Sequence, residues 1–517
     1  MGWRDWFKRS GGLVEQAHDA PPMKKTATRG FSAAQINRLV GEWFATEQSI
    51  NEELRGDLQR LRARGRDLVK NNDFARKFVA MCEDNIIGSE GVRLQSRVQD
   101  QNGTADKMAC DAIERAWREW QLVCDIAGKQ SFSAMCRTLV GGLPSDGEFL
   151  VMMVKGEGAG NRFNFALQII DVDRIDTSFN GNYGGNTVIM GVEVDVYRRP
   201  LALHLYAAHP SDGSRSSRDR VRIPMERMIH GFKLERAEQM RGIPWMAAGM
   251  VSLHHLGKFK LSALLAAEHG ANHYGFFEKK DAADVVGAPV SGLLDSGDGS
   301  GAPEIESVPG MFDVLDQYTF KPFESPYPNQ VFAPFVKTTL QRIASGWRIS
   351  YHSLANDLEG VNFSSIRSGT IEERDRWRVD QQWFVDVFCR PVFLAWLDMA
   401  LMSGQIKVAS GSPLPYSKKD KFVRHDWQPR TWEWVDPEKD INASVMAVNA
   451  GFLPPQDIAN ALGRDFEETL TLIAEAKRMA TALGISLPAY DSKPGANSGN
   501  AGANVNAPDN GGTNGSQ

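Results

Sequence analysis
His269 and His273 stand at i and i+4 in a helical pattern, a spacing that lets two imidazoles reach one metal ion, and Glu268 adds a third candidate ligand. The spacing is not HExxH, no further His/Cys pair lies nearby, and one helix face cannot complete a coordination shell. A polar surface is therefore the expected role. Asp171, Asp173 and Asp176 could hold a divalent ion or move protons. They follow directly on a strand-like run ending at Ile170, where short acids cap and solvate a turn. Asp295 to Glu306 has acids at the first and twelfth positions of a calcium-type loop, but lacks ligands at the third and fifth and glycine at the sixth. Gly128-Lys129-Gln130 and Gly257-Lys258-Phe259 both lack the Ser/Thr that a phosphate-cradling Gly-Lys-Ser/Thr loop needs. There is no G-x-S-x-G, and no Cys/His pairing has an obvious partner. No catalytic set, cofactor site or metal site is expected.

The densest remaining polar segment is Asn356, Asp357, Glu359, Asn362 and Ser364, arranged around Gly360 and interrupted by Phe363. Taken alone it is a surface loop. The elements around it give it a place. A short amphipathic run carries Leu340, Ile343 and Trp347, and a long helical pattern follows the loop. That pattern begins with charge (Glu372, Glu373, Arg374, Asp375, Arg376, Arg378, Asp380) and ends in Phe384, Phe388, Phe393 and Trp396, with Pro391 inside it where a kink is expected.

Composition bounds the possibilities. A chain of 517 residues has room for two to four domains at roughly 150 residues each. The net charge of −5 and pI near 6.1 announce no basic nucleic-acid-binding surface, which disfavours tight static DNA binding. Five widely spaced cysteines without a CxxC pair read as reduced, mostly buried thiols in a reducing compartment. Residues 1–10 lack the apolar core of a signal peptide, and the most apolar stretch, Phe384 to Met402, is broken by Asp386, Arg390, Pro391 and Asp398. A soluble protein without a membrane span is expected, and Trp6 stands where a myristoylation signal needs Ser/Thr.

Along the chain, residues 1–30 lack a sustained period and read as a mobile arm. Helical spacing begins at Ser32 with Ile36, Leu39, Val40 and Trp43, continues over 51–71 with many arginines and acids, and returns from Asp73, over 113–120 and over 132–140. After Gly147 the period becomes two: 149–154, 163–170, 188–196 and 202–206 predict strands of a largely antiparallel sheet. Pro244 opens a long helix running to about His273. Residues 281–330 are rich in Gly, Pro and Ser, with short strands near Ile305 and over 318–320, and a helix at 331–346 returns from them. Helices over 445–450 and 455–483 precede a Gly/Asn/Ala tail from Asp491 that cannot bury a core.

Several of these runs resemble the portal proteins of lambda-like tailed bacteriophages. They are Asn329-Gln-Val-Phe-Ala-Pro-Phe-Val-Lys-Thr-Thr-Leu340, Tyr351-His-Ser-Leu-Ala-Asn-Asp357 and Val361-Asn-Phe-Ser-Ser-Ile-Arg-Ser-Gly369. The likeness extends upstream to 63–77, Asn85-Ile-Ile-Gly-Ser89, Asp146-Gly-Glu-Phe-Leu150 and Arg241-Gly-Ile-Pro-Trp245, in family order over roughly residues 30 to 405. The resemblance implies an α+β portal fold. It divides the chain into an N-terminal arm (1–30), a wing of helices then antiparallel sheet (31–240), a stem helix (241–280), a β-containing clip (281–330) and a second stem helix (331–347). A tunnel-loop region (348–365), a long kinked wing helix (366–405), a helical crown (435–487) and a disordered tail (488–517) complete it.

The resemblance also implies a non-enzymatic subunit of a ring of about twelve copies at one capsid vertex, through which double-stranded DNA is packaged and ejected without sequence readout. Its partners would be the terminase large subunit, major capsid and scaffold proteins, and head–tail connector proteins; it would sit in the virion, and in host cytoplasm during assembly. Asn356, Asp357, Glu359, Gly360, Asn362, Phe363 and Ser364 would line the narrowest part of the channel. Glu372, Arg374, Arg376 and Arg378, with the arginine-rich helix over 51–71, would make ion pairs between subunits. Such a ring carries roughly −60, which suits a passage that does not hold its cargo. The alternatives are a metal-dependent phage enzyme using His269, His273 and the Asp171 cluster, and another structural ring such as a head-completion protein, which would not need a stem, clip and crown.

Overall fold
The computed structural model of the protein describes residues 47–212, 219–272, 275–279, 318–322, 331–359, 362–432 and 437–485. The elements below belong to the unit that begins at Ile50. Helix α1 (Ile50–Asn71), expected over 51–71 from its arginines and acids, buries Ile50, Leu54 and Leu58 at i+4 spacing along one face. Asn72 follows it and caps α2 (Asp73–Ile86), its side-chain oxygen accepting from the N–H groups of Phe74 and Ala75. Strand β1 (Arg93–Ser96), α3 (Lys107–Gln121) and α4 (Phe132–Asp146) come next. Asp106 caps α3, Ser131 caps α4, and Gly147 ends α4 at φ 78°.

Strands β2 (Glu148–Lys155) and β3 (Phe165–Ile170) follow, then β4 (Gly181–Tyr183), β5 (Asn186–Ile189), β6 (Val192–Val194), β7 (Pro200–Tyr206), β8 (Arg220–Pro224) and β9 (Met228–Phe232). They make an antiparallel sheet in the order β3-β2-β9 and an antiparallel meander β4-β5-β6-β7-β8. The single strand expected over 188–196 is instead a hairpin. Met190 and Gly191 both adopt positive φ between the Ile189/Val192 pair, the two-residue turn whose twist matches a hairpin.

The long helix α5 (Met250–Asn272) starts later than Pro244. The N–H groups of Trp245 and Met246 are spent on the carbonyls of Leu143 and Pro144 at the end of α4, which holds 244–246 out of the helix. Strand β10 (Gly275–Lys279), in a stretch assigned to the first stem helix, pairs antiparallel with β11 (Tyr318–Pro322). Helix α6 (Phe332–Gly346) returns against α5, with Phe259 stacked on Phe332 at 5.5 Å. Helices α7 (Tyr351–Ala355) and α8 (Phe363–Phe384) lead to a π turn at Val385–Cys389 and then α9 (Arg390–Met402). The irregularity expected at Pro391 is this π turn: Arg390 N–H reaches back to Val385 O, and Pro391, which has no N–H, falls in the first turn of α9.

Strand β12 (His425–Gln428) pairs with β1. Helices α10 (Pro437–Asn449), α11 (Pro455–Ala461) and α12 (Phe466–Ala482) close the described chain. The one helix expected over 455–483 is broken at Gly463, whose φ is 75°. The 1–30 arm, the helix expected from Ser32, the strand near Ile305, the loop from Asp295 to Glu306 and the tail from Asp491 lie outside the described residues.

The main core gathers α2, α3, α4, β2, α6, α8 and α9. Its centre is aromatic: Trp117 meets Phe132, Phe393, Trp396 and Trp427 edge-on at 5.0–5.8 Å, the T-shaped arrangement the ring quadrupole favours. All five cysteines are free thiols, four buried and Cys110 half-buried. No described helix is long and apolar enough to cross a membrane.

Candidate functional site
The polar segment after α7 is anchored at its first two residues. Asn356 ends α7 at φ 53°, a conformation its short amide tolerates, and its Oδ1 accepts from Lys77 Nζ at 3.2 Å. Asp357 accepts from the Tyr351 hydroxyl at 2.8 Å and lies 3.1 Å from Lys337 Nζ, while Glu359 N–H closes back on it at 3.0 Å. His352 Nδ1 sits 2.6 Å from Asp357 O. Helices α6 and α7 thus fix where the segment leaves the protein, and Leu358 and Glu359 project into solvent. Gly360 lies outside the described residues. Asn362 is exposed, and Phe363 and Ser364 are in the first turn of α8, with only their backbone described.

The Tyr351 hydroxyl, then Glu359 N–H and Lys337, hold Asp357 down at about 2, and burial followed by that carboxylate pushes Tyr351 up to about 12. An unfolded aspartate titrates near ~3.9. The anchoring is therefore complete above about pH 4 and is lost as pH falls through the folded value. Tyr351→Phe is expected to move the Asp357 titration, followed by carboxyl NMR, upward toward ~3.9. A midpoint that stays near the wild-type value would show that the hydroxyl does not hold it.

The charged start of α8 divides its residues. Arg376 is turned inward: it lies 3.3 Å from buried Asp380 and 4.2 Å from the Trp377 ring, and Lys233 pairs with the same aspartate. Glu373 accepts from Ser353 and Trp377, tying α7 to α8. Glu372 and Arg378 face solvent, Arg378 pairing with Asp375 at 2.7 Å, while Arg374 and Arg430 approach the Trp432 ring. In α1, Arg62 and Arg66 also spend their charge inside the chain.

They belong to an ionic node that sequence reasoning missed. Glu148, at the start of β2 and buried, accepts from Arg62 at 2.5 Å, from Arg241 at 2.6 Å and from Gly242 N–H at 2.6 Å, and His230 lies 3.1 Å away. Burial alone would raise the Glu148 pKa, but Arg241, Arg62 and His230 hold it well below the usual carboxylate range. The acid and the arginine stand inside the Asp146-Gly-Glu148 and Arg241-Gly-Ile-Pro-Trp245 runs, but nothing local in either run joins them.

The acids weighed for metal chemistry sit beside this node. Asp171 and Asp173 could meet His209 at one point, yet Asp173 contacts both Arg62 and Arg66, Asp171 contacts Arg66, and Asp171 accepts from Asp173 N–H as a turn cap. Guanidinium groups already neutralise these carboxylates, so the set fits a divalent ion poorly. Asp176 turns away to Arg220 and Ser178. Glu268 is exposed on α5; the His269 side chain and His273 lie outside the described residues.

A phage portal protein model, lambda family, matches residues 37–381, and the chain belongs to that family. It is similar to a probable portal protein of Halomonas phage phiHAP-1, 34% identical over 501 residues that cover 94% of each chain. Portal protein B of Escherichia phage lambda is 22% identical over 484 residues, 87% of this chain and 89% of the relative. Among solved structures, a chain in the neck of an empty GTA particle computed with C6 symmetry aligns at 13% identity and TM-score 0.41, over 79% of this chain and 93% of that one.

Proposed function
We propose that this portal protein is one subunit of a ring of about twelve copies at a single capsid vertex, forming the channel through which double-stranded DNA enters and leaves the head. The family match over 37–381 carries this proposal. In this arrangement α5 and α6 are the stem, the β10–β11 pair and the residues between them the clip, α8 and α9 the long wing helix, and α10 to α12 the crown. The ring docks the terminase large subunit and then head–tail connector proteins, and meets major capsid and scaffold proteins. It works in the virion after assembly in host cytoplasm, and catalyses nothing itself.

The anchored segment from Asn356 through Ser364 lines the channel. Its observed beginning suits that role, because a rigid base presents short polar and acidic groups that touch phosphates without gripping them. Among the charged residues of α8, exposed Glu372 and Arg378 and half-buried Arg374 are the ones offered to a neighbouring subunit; Arg376 acts by fixing the helix. In phage carrying Glu359→Lys, heads are expected to form but to package DNA slowly, leaving shortened genomes on pulsed-field gels. Full-length DNA packaged at the normal rate would remove this segment from the channel wall.

A further inference from the structure
A cleft of about 900 Å³ lies between β1, the outer face of α3 and the start of α12, and residues 92–99 line it as an unbroken run. Among the described residues strand β1 has one partner, β12. Arg97 N–H donates to Arg424 O at 2.9 Å, so in this antiparallel ladder the odd-numbered residues bond to β12 and Leu94, Ser96 and Val98 turn their backbone groups the other way. Two of those outward groups are taken. Ser96 N–H donates to Glu114 and Val98 O accepts from Asp106 N–H, whereas Leu94, only 8% exposed, finds no such partner for its N–H or C=O among the described residues.

Two buried side-chain donors belong to residues that line the same space. Among the described residues Trp117 Nε1 and Gln428 Nε2 have no hydrogen-bond partner, the two residues are at most 8% exposed, and both line the cleft. Groups of this kind are almost always satisfied in folded proteins. Along the rim, Asp111, Glu467 and Glu475 have no ion-pair partner among the described residues; of the cations there, Arg93 and Arg97 are paired with Glu90 and Asp426, so the three acids outnumber the remaining Lys107 and Arg118.

We propose that this cleft binds an extended, Lys/Arg-bearing segment of a partner protein, added as a third strand on the outer edge of β1. Backbone pairing at Leu94 supplies the register, Gln428 turns its orphan amide toward a carbonyl of the segment, and the rim carboxylates select for its cations. The run of groups along a strand suits a polypeptide better than a compact ligand. The site is separate from the channel segment and does not depend on ring formation.

The test uses fluorescence anisotropy with a labelled decapeptide of alternating Lys and Val against the full chain. Saturable binding is expected. The doubly charge-reversed chain, Glu467→Lys with Glu475→Lys, changes two exposed side chains and should bind at least about tenfold more weakly while melting like the wild type. Methylating alternate backbone nitrogens of the peptide, to remove its outward donors, should abolish binding, and Gln428→Met should weaken it. Equal affinity for a Glu/Val decapeptide, or undiminished binding of the N-methylated peptide, would overturn the proposal. So would absent peptide binding combined with hydrogen-exchange protection of residues 93–98 that arises only when copies assemble, which would assign the cleft to a second copy of this chain.

Discussion

Glu148→Gln is expected to destabilise the fold by about 3–5 kcal/mol, the largest loss foreseen for a single side chain, because it leaves buried Arg241 without its counterion and Arg62 with only the more distant Asp173. Arg241 is fully buried and Arg62 is 1% exposed, and Glu148 is the carboxylate both share. The substitution keeps the shape while removing the charge and replacing one acceptor oxygen with an NH2 that faces other donors, so a cavity cannot explain the loss. Acid probes the same contact. The folded pKa lies below the unfolded value of ~4.3, so the stabilisation is present at neutral pH, declines once pH drops below about 4, and disappears as pH falls through the folded value. Urea midpoints at fixed protein concentration, taken from pH 7 down to pH 3, should show wild type and variant converging on the acid side. Parallel curves over that range would mean that the node does not carry its charge.

Gly242→Ala is expected to cost roughly 3 kcal/mol or more, through a different mechanism. A Cβ on Gly242 would lie 2.2 Å from Gly147 O and 2.6 Å from Gly147 C, and one on Gly147 would lie 2.2 Å from Ile243 C. The two backbones are in contact, and neither obstacle is a side chain that can swing away. Gly242 N–H also donates to Glu148, so pushing the strands apart strains the ionic node as well. Gly369→Ala is the control. Gly369 lies within α8 with nothing within 4 Å of the added methyl, and alanine there should stabilise by ~0.5–1 kcal/mol. A Gly242→Ala chain with an unchanged urea midpoint would show that the segment from 241 to 246 can yield.

These two sites mark where the sequence was readable and where it was not. The helices of 50–146 announce themselves through periodic apolar residues, a local signal, whereas their caps Asn72, Asp106 and Ser131 come from the fold. The hairpin at 190–191 did not, because methionine is not a turn former and the apolar run at 188–190 passes through Gly191 into the alternating Val192 to Val196 as one strand would. Pairing of β1 with β12 has no local signature, since 333 positions separate Gln95 from Gln428. The Glu148 node was hidden for the same reason. Its partners come from three distant stretches, around Arg62, His230 and Arg241, and only the burial of β2 turns an ordinary acid into a focus of charge. The polar segment at 356–359 was legible as a segment; that Tyr351 and Lys337 anchor it required the fold. The direction of Arg376 likewise depended on a lysine 143 positions earlier in the chain, Lys233 beside Asp380.

The central claim is that copies of this chain close into a ring around a passage. Negative-stain electron microscopy of the purified chain, viewed down the symmetry axis, tests it most directly. Closed rings of about twelve subunits with a stain-filled central hole are the expected result. A uniform population of compact single copies under conditions that favour assembly would contradict it.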